Sequence, residues 1–116
     1  MSLFYRCLFC LLFLVLAACT DDQQATVQTA GPTTPADPQV AALYNRSCRS
    51  CHAQGAAQAP LTGNREAWAP RLEQGMEILL DHTISGYKGM PPMGMCFDCD
   101  EEQFTALIRF MSGTED

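Results

Sequence analysis

Five consecutive residues constrain this chain more than any other feature: Cys48-Arg49-Ser50-Cys51-His52. They form the C-x-x-C-H pattern at which a c-type haem is attached. Two cysteines three positions apart lie on the same side of a helical turn, so both thiols can bond to the vinyl groups of one porphyrin. The imidazole of His52 then points at the iron. The pattern therefore predicts one covalent haem c, held by Cys48 and Cys51 and ligated by His52.

Two other kinds of site share the paired thiols. Zinc half-sites and redox-active dithiols contain C-x-x-C, but neither needs the adjoining histidine. A zinc site would need a second ligand pair, which Cys96-x-x-Cys99 offers. Haem is favoured because residues 37–111 form a small domain. A core of that size is rarely stable without an additional link such as a disulfide, a metal or a cofactor. A covalent haem supplies a large apolar plate on which the side chains can pack.

The N-terminal region has the layout of a secretory signal. Arg6 is followed by an apolar run, too short for a comfortable membrane span, and then by Leu16-Ala17-Ala18-Cys19. This ending resembles the lipobox of bacterial lipoproteins, in which the cysteine is acylated; ordinary cleavage at small residues is the alternative. We expect a signal peptide over residues 1–18, a lipid anchor at Cys19 with a disordered tether over residues 19–36, and a folded domain over residues 37–116.

Export to an oxidising compartment determines how the other cysteines are used. Of the seven cysteines, Cys7 and Cys10 leave with the signal peptide. After the lipid site and the two haem thiols are assigned, Cys96 and Cys99 remain as a natural disulfide pair. A redox-active dithiol is the alternative for this pair.

Apolar periodicity predicts an all-α domain. We expect a first helix that begins at Pro38 and runs into the C-x-x-C-H turn. A short second helix should be capped by Asn64, and a third should span Met76–Ser85. The last helix should follow a capping box formed by Asp100 and Gln103.

The apolar faces of these helices predict the core. On the first helix the inner face consists of Val40, Leu43, Tyr44 and Ser47. Around the haem we expect Trp68, Leu72, Ile78, Leu79 and Ile84. The last helix carries Phe104, Leu107, Ile108 and Met111 on one face, and Leu107 and Phe110 are expected to cross the first helix. We interpret His82 as a surface histidine.

The second axial ligand is predicted on the loop before the paired cysteines. Met90 directly precedes Pro91 and Pro92, which hold it in an extended conformation. A His/Met ligand pair is typical of electron-transfer haem. Met93 and Met95 on the same loop are the competing ligands. Since a ligating histidine usually donates its other ring N–H to a carbonyl, we expect the carbonyl of Pro60 to orient His52.

Taken in order, these motifs resemble the cytochrome c5 family of class I c-type cytochromes. The matching segments are Tyr44-Asn45, Cys48-x-x-Cys51-His52, Ala59-Pro60-Leu61-x-Gly63, Ala67-Trp68-Ala69-Pro70-Arg71, Gly75-Met76 and Met90-Pro91-Pro92-x-Gly94-x-Cys96-x-Asp98-Cys99. The resemblance implies a small all-α class I cytochrome c fold, with three to five helices around one covalent haem. It also implies thioethers at Cys48 and Cys51, axial ligands at His52 and Met90, and a disulfide between Cys96 and Cys99.

We therefore expect a membrane-tethered, monohaem one-electron carrier on the periplasmic side of a Gram-negative bacterial membrane, and not an enzyme. The net charge of −6 argues against nucleic acid as a partner and favours redox proteins with positive patches. Two other functions remain open. One is an electron-input subunit of a larger oxidase or reductase. The other is a haem protein that reacts with gases or peroxide.

Overall fold

In the computed structural model, which describes residues 34–115, the C-x-x-C-H motif closes one continuous helical stretch. Helix α1 (Pro38–Leu43) leads without a break into a π-helical turn (Tyr44–Cys48) and then into α2 (Arg49–His52). The stretch begins where Asp37 accepts hydrogen bonds from two backbone N–H groups, at 2.7 and 3.0 Å. The wider π turn was not predicted; such turns often occur at functional sites.

Three further helices follow, at the predicted places. They are α3 (Arg65–Leu72), α4 (Met76–Ser85) and α5 (Glu101–Ser112). Asn64 caps α3, and the Asp100–Gln103 capping box opens α5. Within residues 34–115 the only β pairing is an isolated bridge between Tyr87 and Met90, so the predicted all-α fold is confirmed.

Helix α5 forms the centre of the core and packs on the first helical stretch. The rings of Tyr44 and Phe110 meet edge to face with centroids 4.9 Å apart. Such aromatic pairs add to the stabilisation that their buried area provides. The tyrosine hydroxyl lies 2.9 Å from the hydroxyl of Thr62, so the one polar atom of this buried ring is satisfied. Tyr44 is therefore a packing residue, as predicted.

The predicted core around α3 and α4 is only partly correct. Trp68 and Leu79 are buried and Leu72 packs against the core, but Ile78 and Ile84 are each 42% exposed. The reason is helical register: the inward face of α4 follows an i, i+3, i+4, i+7 spacing. Its members are Met76, Leu79, Leu80 and Thr83. Ile78 and Ile84 lie outside this register and face solvent.

Several predictions fall outside the described residues. They concern the signal peptide, the lipid anchor at Cys19 and most of the tether. Among residues 34–115, no helix combines the length and the apolar character that crossing a membrane requires.

Candidate functional site

A cavity of about 470 Å³ lies between the helices. One wall comes from the C-x-x-C-H motif and includes Cys48, Cys51 and His52. Another wall comes from the loop after α4 and includes Met90. The structure thus brings all four predicted haem-binding residues to one cavity, although Met90 lies far from the motif in the sequence.

The two cysteines of the motif have free thiols. Cys48 is buried, Cys51 is half-buried, and neither forms a disulfide. Burial raises the pKa of the Cys48 thiol to about 11, and the neighbouring Cys51 contributes to the shift. At neutral pH this thiol is therefore uncharged. Because Cys96 and Cys99 are bonded to each other, they do not complete a zinc site with Cys48 and Cys51.

His52 has the arrangement that an axial iron ligand needs. Its side chain is buried, and Nδ1 lies 2.8 Å from the carbonyl oxygen of Pro60, as predicted. Because a carbonyl can only accept, Nδ1 carries the proton and the Nε2 lone pair is left available. Burial lowers the pKa of His52 and outweighs the opposing hydrogen bond to Pro60, which favours the neutral, ligating imidazole.

Trp68 supports this wall of the cavity. Its ring stacks on the His52 imidazole with centroids 5.7 Å apart. The indole Nε1–H donates to the carbonyl of Leu61 at 2.9 Å, one residue after the Pro60 carbonyl that orients the histidine. Trp68 therefore helps to fix the ring of His52. It also helps to fix the loop whose Pro60 carbonyl accepts the hydrogen bond from His52.

Met90 is held by its own loop on the facing wall. Its backbone exchanges two hydrogen bonds with Tyr87, at 2.9 and 3.0 Å, and Pro91 follows. Met95 also lines the cavity, whereas Met93 is not part of the lining and packs against the core. Of the two competing methionines, only Met95 reaches the cavity.

Two glycines lie where the backbone of the Met90 loop comes close to other atoms. At Gly94, which has a φ of 54°, an added Cβ would lie 3.0 Å from Cε of Met90. At Gly89, an added Cβ would lie 2.8 Å from Cβ of Ala57 and 2.9 Å from its carbonyl oxygen. A side chain at Gly94 would shift the end of the Met90 side chain, and one at Gly89 would move the loop away from Ala57.

The prediction for His82 was wrong. His82 is half-buried and lines the cavity, and its ring stacks on Tyr87 with centroids 3.9 Å apart. The ammonium of Lys88 lies 5.1 Å from the centre of the Tyr87 ring. His82 lies outside the inward register of α4, so the spacing of apolar residues did not reveal its contact with the cavity.

Cys96 and Cys99 form a disulfide between the Met90 loop and α5, with Cα atoms 5.4 Å apart. Arg46 on the π turn reaches this loop and donates to both carboxylate oxygens of Asp98 at 2.8 Å. The hydrogen bond to Arg46 lowers the pKa of Asp98. Sequence reasoning missed this ion pair because no local pattern joins residues so far apart in the chain.

The cavity fits a covalently attached haem. Two thiols stand beside a neutral, oriented imidazole, and a thioether lies on the facing wall. Between them the lining includes apolar side chains of Leu79, Ile108 and Met111, which suit a flat porphyrin.

Comparison with known proteins agrees with this geometry. The family model described as "Cytochrome C oxidase, cbb3-type, subunit III" matches residues 35–111. Cytochrome c5 from Azotobacter vinelandii is 40% identical over 68 residues, which are 57% of this chain and 82% of that protein. The chain belongs to the cytochrome c5 family.

Other members and neighbours extend the match. Cytochrome c5 from Ectopseudomonas mendocina is 37% identical over 73 residues, covering 61% of this chain and 84% of that protein. Cytochrome c-555 from Chlorobaculum tepidum is 40% identical over 76 residues, covering 62% of this chain and 70% of that protein. A solved structure of an electron transfer complex of nitrite reductase with cytochrome c matches with a TM-score of 0.60 and 40% identity, covering 67% of this chain and 95% of the matched chain.

Membership of the cytochrome c5 family settles the cofactor and the general role. The chain is a monohaem c-type cytochrome that carries electrons, with one covalently attached haem c. The C-x-x-C-H motif is the part of this chain that matches the pattern for such attachment, and it borders the cavity.

Proposed function

We propose that this cytochrome is a periplasmic one-electron carrier with His52 and Met90 as axial ligands, tethered by lipid on Cys19 to a Gram-negative bacterial membrane. One observation carries the ligand assignment. The buried His52 has its Nδ1 proton engaged by Pro60, and Met90 lines the same cavity from a separate loop. The lipobox-like Leu16-Ala17-Ala18-Cys19 supports the tether.

The chain's own residues would perform four tasks. Cys48 and Cys51 fix the cofactor covalently, and Pro60 keeps His52 in the tautomer that ligates. Met90 would supply a soft thioether to the iron, which favours the reduced state. The apolar side chains of the lining, among them Leu79 and Ile108, would pack on the porphyrin. When bound, haem supplies the one-electron exchange between ferric and ferrous iron.

If His52 and Met90 both bound the iron, no coordination position would remain for oxygen or peroxide. The protein would then perform no bond-making chemistry, so it would be a carrier rather than an enzyme. The disulfide between Cys96 and Cys99 would serve as a structural link beside the Met90 loop, and not as a second redox centre.

The test of the ligand assignment is the absorption spectrum of the purified holoprotein in both oxidation states. We expect a low-spin, six-coordinate haem and a weak far-red band in the oxidised state, which marks sulfur ligation. A high-spin spectrum, or binding of carbon monoxide without loss of the native ligand, would show an open site and favour a gas- or peroxide-reactive protein.

The test of the tether is mass spectrometry of the denatured mature protein. We expect haem to remain attached and a diacyl or triacyl mass to be found on Cys19. A free N-terminus at another residue, with no lipid mass, would remove the membrane-tether proposal and leave the carrier proposal unaffected.

A second function is favoured by the description of the matching family model, which names a subunit of an oxidase. As an electron-input subunit, the protein would remain bound to a larger enzyme after mild detergent extraction. As a carrier, it would elute alone in size-exclusion chromatography and retain its spectrum.

A further inference from the structure

Phe97 is exposed in a way that packing does not explain. Its side chain is 70% exposed, more than any other large apolar residue among residues 34–115. It is not one of the residues that line the cavity. Met95, two residues earlier, is 59% exposed and does line the cavity.

The loop that carries Phe97 is linked to its surroundings on both sides of this residue. Cys96 is fully buried, Cys99 is 7% exposed, and the disulfide joins them. Arg46 donates hydrogen bonds to both carboxylate oxygens of Asp98. Phe97 is therefore the one apolar side chain that this fixed loop directs outward. A preorganised aromatic loses little conformational freedom on binding, and aromatic anchors often dominate the energy of protein interfaces.

The surroundings of Phe97 are acidic. Asp98 is neutralised by Arg46, but Asp100, Glu101 and Glu102 follow directly. Asp100 caps α5, and Glu101 and Glu102 interact favourably with the helix N-terminus. All three carboxylates are exposed and follow Phe97 by three to five residues, so they give this end of α5 a negative surface. A second copy of this chain would bring the same negative rim and would be repelled.

We propose that the Cys96–Cys99 loop is a docking element that presents Phe97 to a redox protein with an apolar cup rimmed by lysine and arginine. The proposal rests on the carrier function proposed above and specifies the surface through which that carrier meets its partner. Because Met95 belongs both to this surface and to the cavity wall, a partner that covers Phe97 also reaches the wall of the haem site. The disulfide then has a second use, which is to hold the anchor in its binding position.

The experiment uses an electrode surface with the chemistry of the inferred partner. Full-length holoprotein is adsorbed on gold coated with a mixed monolayer of methyl- and ammonium-terminated alkanethiols, and the electron-transfer rate constant is measured by voltammetry. Phe97→Ser is compared with Ile84→Ser, a matched control because Ile84 is 42% exposed and does not line the cavity. The N-terminal anchor is common to all the proteins.

We expect Phe97→Ser to slow interfacial electron transfer about tenfold, because truncating a central aromatic anchor typically has an effect of this size. Ile84→Ser should match the parent. A methyl- and carboxylate-terminated monolayer should give slow transfer for all three proteins, since it repels the acidic rim. Equal rates for Phe97→Ser and the parent, or equal losses in both variants, would overturn the proposal.

Two further measurements test the carrier function and the oligomeric state independently of the docking surface. All three oxidised proteins should be reduced by hexaammineruthenium(II) in solution at similar rates, and a parent that could not be reduced would contradict the carrier function itself. Sedimentation should show the parent as a monomer. A dimer that Phe97→Ser abolishes would assign this surface to a second copy of the chain and reject the proposed partner.

Discussion

At the scale of single residues, two methionines of the loop after α4, Met90 and Met95, line the cavity, and they differ in how they are held. Met90 exchanges two hydrogen bonds with Tyr87, whereas Met95 is 59% exposed and has a φ of 67°. A ligand must be held in place against thermal motion, so the tied residue is the better ligand. The sequence suggested this through the following prolines, but it did not show that Met93 turns away from the cavity.

Substituting Met90→Ala should therefore remove the far-red band of the oxidised protein, open the iron to added imidazole and lower the reduction potential. Met95→Ala is the matched control, because it removes a thioether that lines the same cavity. The measurement is an absorption titration with imidazole for the parent and both variants. If Met95→Ala loses the band and Met90→Ala keeps it, the ligand assignment is reversed.

The ion pair between Arg46 and Asp98 gives a pH dependence at the same scale. Because the hydrogen bond to Arg46 lowers the pKa of Asp98 in the folded protein, the pair stabilises the fold above the ordinary carboxyl pKa of about 3.9. This contribution is lost as the pH falls through the lower pKa of the folded state. Asp98→Asn should thus be less stable than the parent at pH 6, and the two should converge toward pH 3.

Urea unfolding of both proteins across this range measures the difference. The Arg46→Gln variant is the control, since it removes the cation and should lose the same pH-dependent increment. A difference between Asp98→Asn and the parent that persists unchanged at pH 3 would show that the side chain acts through something other than its charge.

At the scale of elements, the positions of the helices were predictable from the sequence. Which side of each helix faces the core was only partly predictable. The caps at Asp37, Asn64 and Asp100 are local signals, and each marks the start of a helix. The burial of Ile78 and Ile84 was predicted wrongly because both are apolar and lie in an apolar helix. Composition alone does not distinguish them from the i, i+3, i+4, i+7 register that faces inward.

The parts of the site that escaped sequence reasoning are those that depend on distant contacts. Arg46 meets Asp98 across most of the domain, and Gly89 must approach Ala57 closely. Neither contact leaves a local pattern. By contrast, the C-x-x-C-H motif and the hydrogen bond from His52 to Pro60 belong to one short segment, and both were predictable from it.

The disulfide links two of these elements, the Met90 loop and α5. It closes a very short loop, so by chain entropy it should stabilise the fold by about 2 kcal/mol at most.

We expect the Cys96→Ser, Cys99→Ser double variant to fold and keep haem, and to lose the far-red band at a lower temperature than the parent. Phe97→Ser, which keeps the disulfide in the same loop, should retain the parent's midpoint. An unchanged midpoint in the double variant would show that the disulfide does not hold the Met90 loop.

At the scale of the whole molecule, the core and the cavity share residues. Trp68 and Leu79 belong to the hydrophobic core and also line the cavity. Ile108 and Met111 of α5 do the same. The packing of α3, α4 and α5 therefore borders the space that we assign to the cofactor.

The stability of the fold should consequently depend on haem. Trp68, Leu79, Ile108 and Met111 all border the cavity, so without haem these side chains would lose the apolar group that packs against them. The walls would then collapse or unfold. We expect the haem-free Cys48→Ala, Cys51→Ala variant to lose much of its helical circular dichroism and its cooperative thermal transition.

Ser50→Ala, which changes an exposed residue between the two thiols, should mature with haem and melt like the parent. A haem-free variant that kept full helicity and a sharp transition would show that the protein core is sufficient without its cofactor.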